Sequence, residues 1–345
     1  MVNVAINGFG RIGRTFVRLA QDNPDFTIVA VNDLGDIDNL AYLLEYDSAY
    51  GRSGFSVSVK DNKIIVGDNE IKFLQERDPA DLPWGAMDVD LVLESTGLFT
   101  DYADAKKHLD AGAKRVVLSA PAKGSAEEAG VAGATVLMGM NEDALQQCQI
   151  SSNASCTTNA TSPVVGILKE AIGIDTAVLN TVHAYTASQS LVDGPNKKDV
   201  RSGRAAGLNI IPSSTGAAVA TTEVHTDLAG RFDGMALRVP VPVGSVVDIT
   251  FVASKETTVE EVNAALMAAA EDERWREIFT ATDEPIVSTD IIGARFAAVA
   301  DLSFTQVVGG NLVKVLAWYD NETSYTHTLV KHVAAASRLL DQENQ

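Results

Sequence analysis

The sequence predicts an α/β protein in two parts, a doubly wound parallel-sheet domain followed by an α+β domain on a mostly antiparallel sheet. Three observations carry this. The 345 residues are enough for two domains with sizeable cores. The chain opens on strand, glycine turn, helix and strand, the order of a βαβ unit. Its second half instead runs strand after strand, with helices between them.

Val2–Asn7 is the first strand, Gly8-Phe9-Gly10-Arg11-Ile12-Gly13 the turn, and residues 14–21 a helix with Phe16, Val17, Leu19 and Ala20 apolar. Residues 26–31 form the next strand, which closes on Asn32-Asp33. This is G-x-G-x-x-G in the context of a Rossmann dinucleotide-binding unit. Gly8 permits the tight turn, Gly10 lets the backbone approach a pyrophosphate, and Gly13 lets helix and strand pack closely, with the helix N-terminus facing the anion. Asp33 stands 20 residues after Gly13, placed to accept from an adenosine ribose. Its charge would repel a 2′-phosphate, and Leu34-Gly35 brings no Arg to neutralise one, so NAD is favoured over NADP. The alternative is a glycine-rich turn of an ordinary doubly wound domain.

Further strands are expected at residues 55–59, 63–66, 71–74, 89–94 and 115–118, with a crossover helix at 104–111 and a sixth strand at 136–138. The strand tips Ser95-Thr96-Gly97 and Ser119-Ala120-Pro121 suit a crevice at the carboxyl edge of a parallel sheet. The first domain should span residues 1–153.

Next comes Ser155-Cys156-Thr157-Thr158-Asn159, ahead of the apolar-periodic run Val164, Val165, Ile167, Leu168, Ala171 and Ile172. Capping residues before such a run mark a helix start. Cys156 then lies in the first turn, where the macrodipole should favour thiolate and lower its pKa. Pro163 should kink that helix. Cys148 reads as a small buried hydrophobe. Of five histidines, His183 ends a strand at residues 177–182, one helix and one return strand after Cys156. That topology can bring base and nucleophile together, so His183 is the candidate base; a capped strand-end histidine is the other reading.

The second half continues with strands at 235–243, 246–253, 296–304 and 312–319. Pro240 and Pro242 suit an edge or irregular strand. Thr258-Val259-Glu260-Glu261 is a capping box before a helix, and residues 324–340 form a closing amphipathic helix. No metal-ligand cluster stands out, so no metal is expected.

Lys and Arg number 27 against 46 Asp and Glu, a net charge of −19, while 46% of residues are hydrophobic. That acidity argues against nucleic acid or anionic membrane as partner. No signal peptide or spanning run is visible, and two cysteines are too few for a disulfide scaffold; a reducing cytoplasm is the expected location.

Asn7–Arg14, Ser155–Asn159, Val182-His183-Ala184-Tyr185-Thr186, Pro212–Ala217, Met235–Pro240 and Trp318–Glu322, taken together, resemble the phosphorylating glyceraldehyde-3-phosphate dehydrogenase family. The resemblance runs from Val4 to about Val333 and implies a Rossmann domain, a catalytic domain over residues 154–320, and a C-terminal helix at 321–345 returning to the first. It implies that Cys156 attacks the aldehyde of glyceraldehyde 3-phosphate, that His183 takes the proton, and that inorganic phosphate cleaves the resulting thioester. It further implies that Gly8, Gly10, Arg11, Ile12, Gly13, Asp33, Arg77, Thr96, Ser119 and Asn321 hold NAD. Thr186 and Arg238 correspond to residues that hold the substrate's phosphate; Ser155, Thr157, Thr215 and Gly216 correspond to those receiving the attacking one. A homotetramer is implied as well. The same scaffold leaves open an erythrose-4-phosphate or semialdehyde dehydrogenase, or a non-enzymatic nucleotide-binding protein.

Residues 186–209 resemble the family's S-shaped loop, with Ser188 and Gly194 leaving room for NADP beside NAD, and residues 197–201 carry one extra residue. Asn321 to Tyr325 lacks the family's Trp-Gly before Tyr325. Few cations serve the phosphates, so the acidity belongs to the surface and suggests adaptation to a salt-rich cytoplasm, as in a halophile.

Overall fold

The computed structural model describes residues 1–197 and 199–343. The chain forms two compact units, Met1–Ala154 joined by the residues from Thr326 onward, and Ser155–Tyr325.

The first unit is built on a nine-stranded sheet. Its order is Gly133–Thr135, Ile150–Ser152, Arg115–Leu118, Leu91–Glu94, Val2–Asn7, Phe26–Asn32, Asn69–Leu74, Lys63–Val66 and Val57–Lys60. The first seven pair in parallel, and the last two add as antiparallel edge strands. The inner strands read as almost unbroken apolar runs because both faces are covered, as parallel sheets require. From Val2–Asn7 the chain first winds to one side and later returns on the other. The carboxyl ends of Val2–Asn7 and Leu91–Glu94 therefore flank a topological switch point, where ligands of such folds bind.

The first helix is Arg11–Ala20, three residues earlier than expected. Only Gly8, with φ +98°, needs the left-handed region; Gly10 is the N-cap, and from Arg11 the backbone is already helical. The expected strand at 136–138 does not form. Those residues are buried, and the Val136 N–H still reaches Ser152 O at 2.9 Å, but the Leu137 N–H turns to Asn141 Oδ1 at 2.9 Å and the Leu137 carbonyl accepts from Met140, so the chain leaves the ladder after Val136 and enters a turn. The neighbouring Gly133–Thr135 pairs instead.

The second unit carries a seven-stranded sheet ordered Ile211–Ser214, Phe232–Val239, Ile174–Ala184, Ser245–Ala253, Leu312–Tyr319, Ala298–Val308 and Phe279–Thr282. Four of its pairings are antiparallel and two parallel. Phe232–Val239 is an internal strand, not the expected edge strand through 243; a strand bonded on both sides needs its N–H groups, so the ladder stops before Pro240. The helix Cys156–Ile172 is capped by Ser155, whose Oγ accepts the Thr158 N–H at 3.1 Å, and it continues through Pro163. Thirteen of its 17 residues are buried, so packing on both sides holds the helix across the missing N–H. At Val259–Ala270 the Thr258 cap forms, but the Glu261 carboxylate accepts from Thr257 Oγ1 at 3.0 Å rather than closing the box.

Residues 186–197 and 199–209 bond to one another through their backbone, with a short 3₁₀ turn at Val200–Gly203. Gly194 N–H donates to Gly203 O at 2.8 Å, and a Cβ on Gly203 would lie 2.2 Å from the Gly194 carbonyl. Lys198, within the stretch read as carrying an extra residue, lies outside the described residues. The closing helix is Thr323–Glu343. Among the described residues no helix is long and apolar enough to cross a membrane.

Candidate active site

In the first unit a cavity of about 500 Å³ opens at the switch point, a volume in the usual range of small-molecule sites. Gly8, Gly10, Asp33, Arg77 and Thr96 line it together. Arg11, Ile12 and Gly13 form the first turn of the helix behind it, and Ser119 follows the neighbouring strand Arg115–Leu118. A Cβ on Gly8 would lie 2.6 Å from Thr96 N and one on Gly13 2.3 Å from Gly8 O, whereas one on Gly10 would meet nothing within 4 Å. Gly8 and Gly13 are thus needed for packing, while Gly10 leaves open space where a ligand can approach the backbone. Asp33 accepts the Phe9 N–H through Oδ2 at 2.7 Å and the Gly35 N–H through Oδ1 at 2.8 Å, so its carboxylate is fixed at the cavity wall. The residues fit a dinucleotide: open backbone at the helix start, a fixed acceptor for ribose, and an exposed Arg77 at the rim.

Arg11 does not present a free guanidinium. It pairs with Asp47 and lies 5.7 Å over the Tyr50 ring. Burial alone would raise the Asp47 pKa; the Arg11 bond and the N–H groups of Ala49 and Tyr50 outweigh it and hold that carboxyl below its usual range.

In the second unit the start of Cys156–Ile172 meets the end of Ile174–Ala184. Cys156 Sγ lies 3.3 Å from His183 Nε2. His183 Nδ1 lies 2.7 Å from Ala184 O, and Arg238 Nη1 stands 2.5 Å from the same Nδ1 and 3.1 Å from Ala184 O. The parallel register pairs His183 with Arg238 directly, which is how a residue 55 positions away comes to face the imidazole. Burial, with the Arg238 charge second, lowers the His183 pKa to about 3. The expected depression of the Cys156 thiol is not what the structure shows. Burial raises it, and the opposing pull of Arg238 and of the first helical N–H groups is smaller. Burial thus favours the neutral form of both groups.

Tyr319 and Thr181 were not foreseen. Tyr319 OH shares hydrogen bonds with Thr157 Oγ1 at 2.9 Å and Thr181 Oγ1 at 2.8 Å, its ring edge-on to His183, so the Thr157 hydroxyl is engaged. A Tyr ending an apolar strand was the available signal. Thr186 holds Ser188 Oγ at 2.9 Å and donates its N–H to Gln189 Oε1 at 2.8 Å. Thr215 and Gly216 precede the helix Ala217–Val224, which packs on Cys156–Ile172. Asn321 is buried, and its Oδ1 accepts from Gly244 N–H and Ser245 Oγ, which leaves its amide N–H groups for other partners. Cys148 is buried as expected, its thiol raised by burial.

Two family models match the chain. "Glyceraldehyde 3-phosphate dehydrogenase, NAD binding domain" covers residues 2–102, and "Glyceraldehyde 3-phosphate dehydrogenase, C-terminal domain" covers 155–321. The chain is 49% identical over 331 residues to "Glyceraldehyde-3-phosphate dehydrogenase" of Geobacillus stearothermophilus, across 95% of this chain and 96% of the relative. It belongs to the glyceraldehyde-3-phosphate dehydrogenase family. "Glyceraldehyde-3-phosphate dehydrogenase 1" of Streptomyces avermitilis is likewise 49% identical over 95% of this chain and 96% of its own length. That of Clostridium acetobutylicum is 44% identical over 98% and 99%. Membership in the glyceraldehyde-3-phosphate dehydrogenase family agrees with the Rossmann sheet, the second mostly antiparallel sheet and NAD as cofactor.

Proposed function

We propose that this enzyme oxidises D-glyceraldehyde 3-phosphate with NAD and inorganic phosphate to 1,3-bisphosphoglycerate, in glycolysis and, run backward, in gluconeogenesis. The observation that carries the reading is the 3.3 Å contact between Cys156 Sγ and His183 Nε2, with Arg238 against the imidazole, in a chain of this family. Sγ adds to the aldehyde carbon, and its proton passes through Nε2 to the oxygen, giving a hemithioacetal. Nε2 then takes the hydroxyl proton as the carbon is oxidised. NAD, when bound, supplies the acceptor for the hydride. The product of this half-reaction is a thioester on Sγ. Phosphate attacks its carbonyl, the C–S bond breaks, the thiol recovers the proton that phosphate gives up, and the proton on His183 passes to solvent.

The backbone N–H of Cys156 and the His183 ring would steady the oxyanion, a contribution often worth about 3–4 kcal/mol. Arg238 and Thr186 would hold the substrate's phosphate, and Ser155, Thr157, Thr215 and Gly216 the attacking one; hydroxyls, backbone N–H groups and one guanidinium suit a dianion. Gly8, Gly10, Arg11, Ile12, Gly13, Asp33, Arg77 and Thr96 would hold the adenosine and pyrophosphate, with Ser119 and Asn321 toward the nicotinamide. Purified protein should reduce NAD with this aldehyde only when phosphate or arsenate is present. Absence of that reduction overturns the reading.

A cytoplasmic homotetramer is part of the proposal: Leu191, Val192, Val200, Leu208 and Ile210 stand exposed on and beside the 186–209 loop, as a surface that meets second copies would. Ser188 and Gly194 in that loop support NADP use beside NAD. Salt adaptation is supported by the net charge of −19 and by the exposed acids at Glu127-Glu128, Glu271-Asp272-Glu273 and Asp283-Glu284. At 1 M salt the Debye length falls to about 3 Å and self-repulsion fades. The melting temperature should rise from low to molar KCl, by about 2–4 °C for each kcal/mol of repulsion relieved; a flat or falling curve removes the salt reading.

A further inference from the structure

Two buried titratable groups take no part in the chemistry above. Glu94 is 2% exposed and His108 0%. The Trp84 indole N–H donates to His108 Nδ1 at 3.0 Å. An indole can only donate, so Nδ1 accepts, and the ring proton sits on Nε2. Nε2 faces Glu94 Oε2 at 3.1 Å, and the same oxygen accepts from Asn7 Nδ2 at 2.6 Å. The other oxygen, Oε1, accepts the Thr96 N–H at 2.8 Å and the Thr96 hydroxyl at 2.5 Å. Beyond Asn7, Oδ1 accepts from Asn32 Nδ2 at 2.7 Å, and Asn32 Oδ1 accepts the Glu76 N–H at 2.8 Å.

Each bond has one allowed direction, and together they fasten the ends of Val2–Asn7, Phe26–Asn32 and Leu91–Glu94 and the turn after Asn69–Leu74. Asn7, Asn32, Glu76 and Thr96 are at the same time walls of the 500 Å³ cavity. A carboxylate is the one side chain of this size that accepts from four donors with nothing to donate. We propose that Glu94, set by His108 and Trp84, is a positioning residue that fixes the walls of the cofactor cavity without touching the ligand. This rests on NAD occupying that cavity.

An amide at position 94 cannot satisfy the network: its NH₂ must face either the Thr96 donors or those of Asn7 and His108. In the full-length enzyme, E94Q should raise Kd and KM for NAD about tenfold. The KM for the aldehyde and kcat at saturating NAD should stay within about twofold. The double variant E94Q/N7D lets the amide NH₂ at position 94 donate to the carboxylate at position 7 and puts a carboxylate oxygen where Asn7 Nδ2 now lies 3.5 Å from His108 Nε2, the acceptor left to that ring N–H; it should return NAD affinity to within about threefold of wild type. If E94Q does not fold, W84F decides: it removes the donor that fixes the ring, together with part of a fully buried side chain, and should raise KM for NAD about threefold with kcat unchanged. A folded E94Q with wild-type NAD affinity, a loss that falls on kcat alone, a double variant as weak as E94Q, or an unchanged W84F would each overturn the proposal. A wild-type enzyme that binds no NAD would instead overturn the cofactor reading on which it rests.

Discussion

Replacement of Cys156 by alanine is expected to lower turnover by at least about 10⁴-fold, the scale seen when a covalent nucleophile is removed. NAD affinity should stay within about twofold of the wild type, because the cavity that would hold its adenosine and pyrophosphate is lined by residues of the other unit. Single-turnover kinetics and calorimetric titration of NAD check the two halves separately. Loss of turnover with intact cofactor binding is the result that the thiol chemistry requires; unchanged turnover would remove Cys156 from its role. Helix Cys156–Ile172 should survive the change, since its cap is Ser155 and not the thiol.

His183→Asn is the second large effect, with kcat expected to fall about 10²–10⁴-fold as the base is lost. This substitution also has a signature in stability. Burial and then the Arg238 charge lower the His183 pKa from 6.5 to about 3, and burial does the same to His332 in the first unit. In the window between, the unfolded chain carries protons that the folded chain does not. The contribution of each group is therefore complete above about pH 6.5 and is lost as pH falls toward 3, by about 1.4 kcal/mol per pH unit per group. H183N should consequently lose less stability than wild type between pH 6.5 and 4, measured by denaturant unfolding in each unit's transition. A wild-type slope in the variant would show that the imidazole is already protonated when folded.

The glycine turn was legible because three glycines at fixed spacing have few other uses, and Asp33 because it ends a strand. Cys156 and His183 could be paired from topology alone, a helix and a return strand being enough to bring their ends together. Two things escaped. Whether an apolar run such as Val136-Leu137-Met138 lies in a strand or a buried turn depends on where its N–H groups find partners, and that is settled by Asn141 and Ser152. The thiol's pKa escaped too, since desolvation depends on every neighbour while the helix dipole can be read from one segment. Tyr319, Thr181, Glu94 and His108 share this character: each is an unremarkable letter in the sequence, and each has its meaning in partners between 14 and 162 positions away.

The two backbone bonds of Asp33 bear on how this lineage can change its cofactor. The same carboxylate that would turn away a 2′-phosphate also fastens Phe9 inside the glycine turn to Gly35 in the loop beyond. Mutating it toward NADP loosens the turn at the step that removes the repulsion, so the single-mutation path passes through a weaker binder of both nucleotides. Asp33 is therefore a fastening of the glycine turn as much as a recognition element.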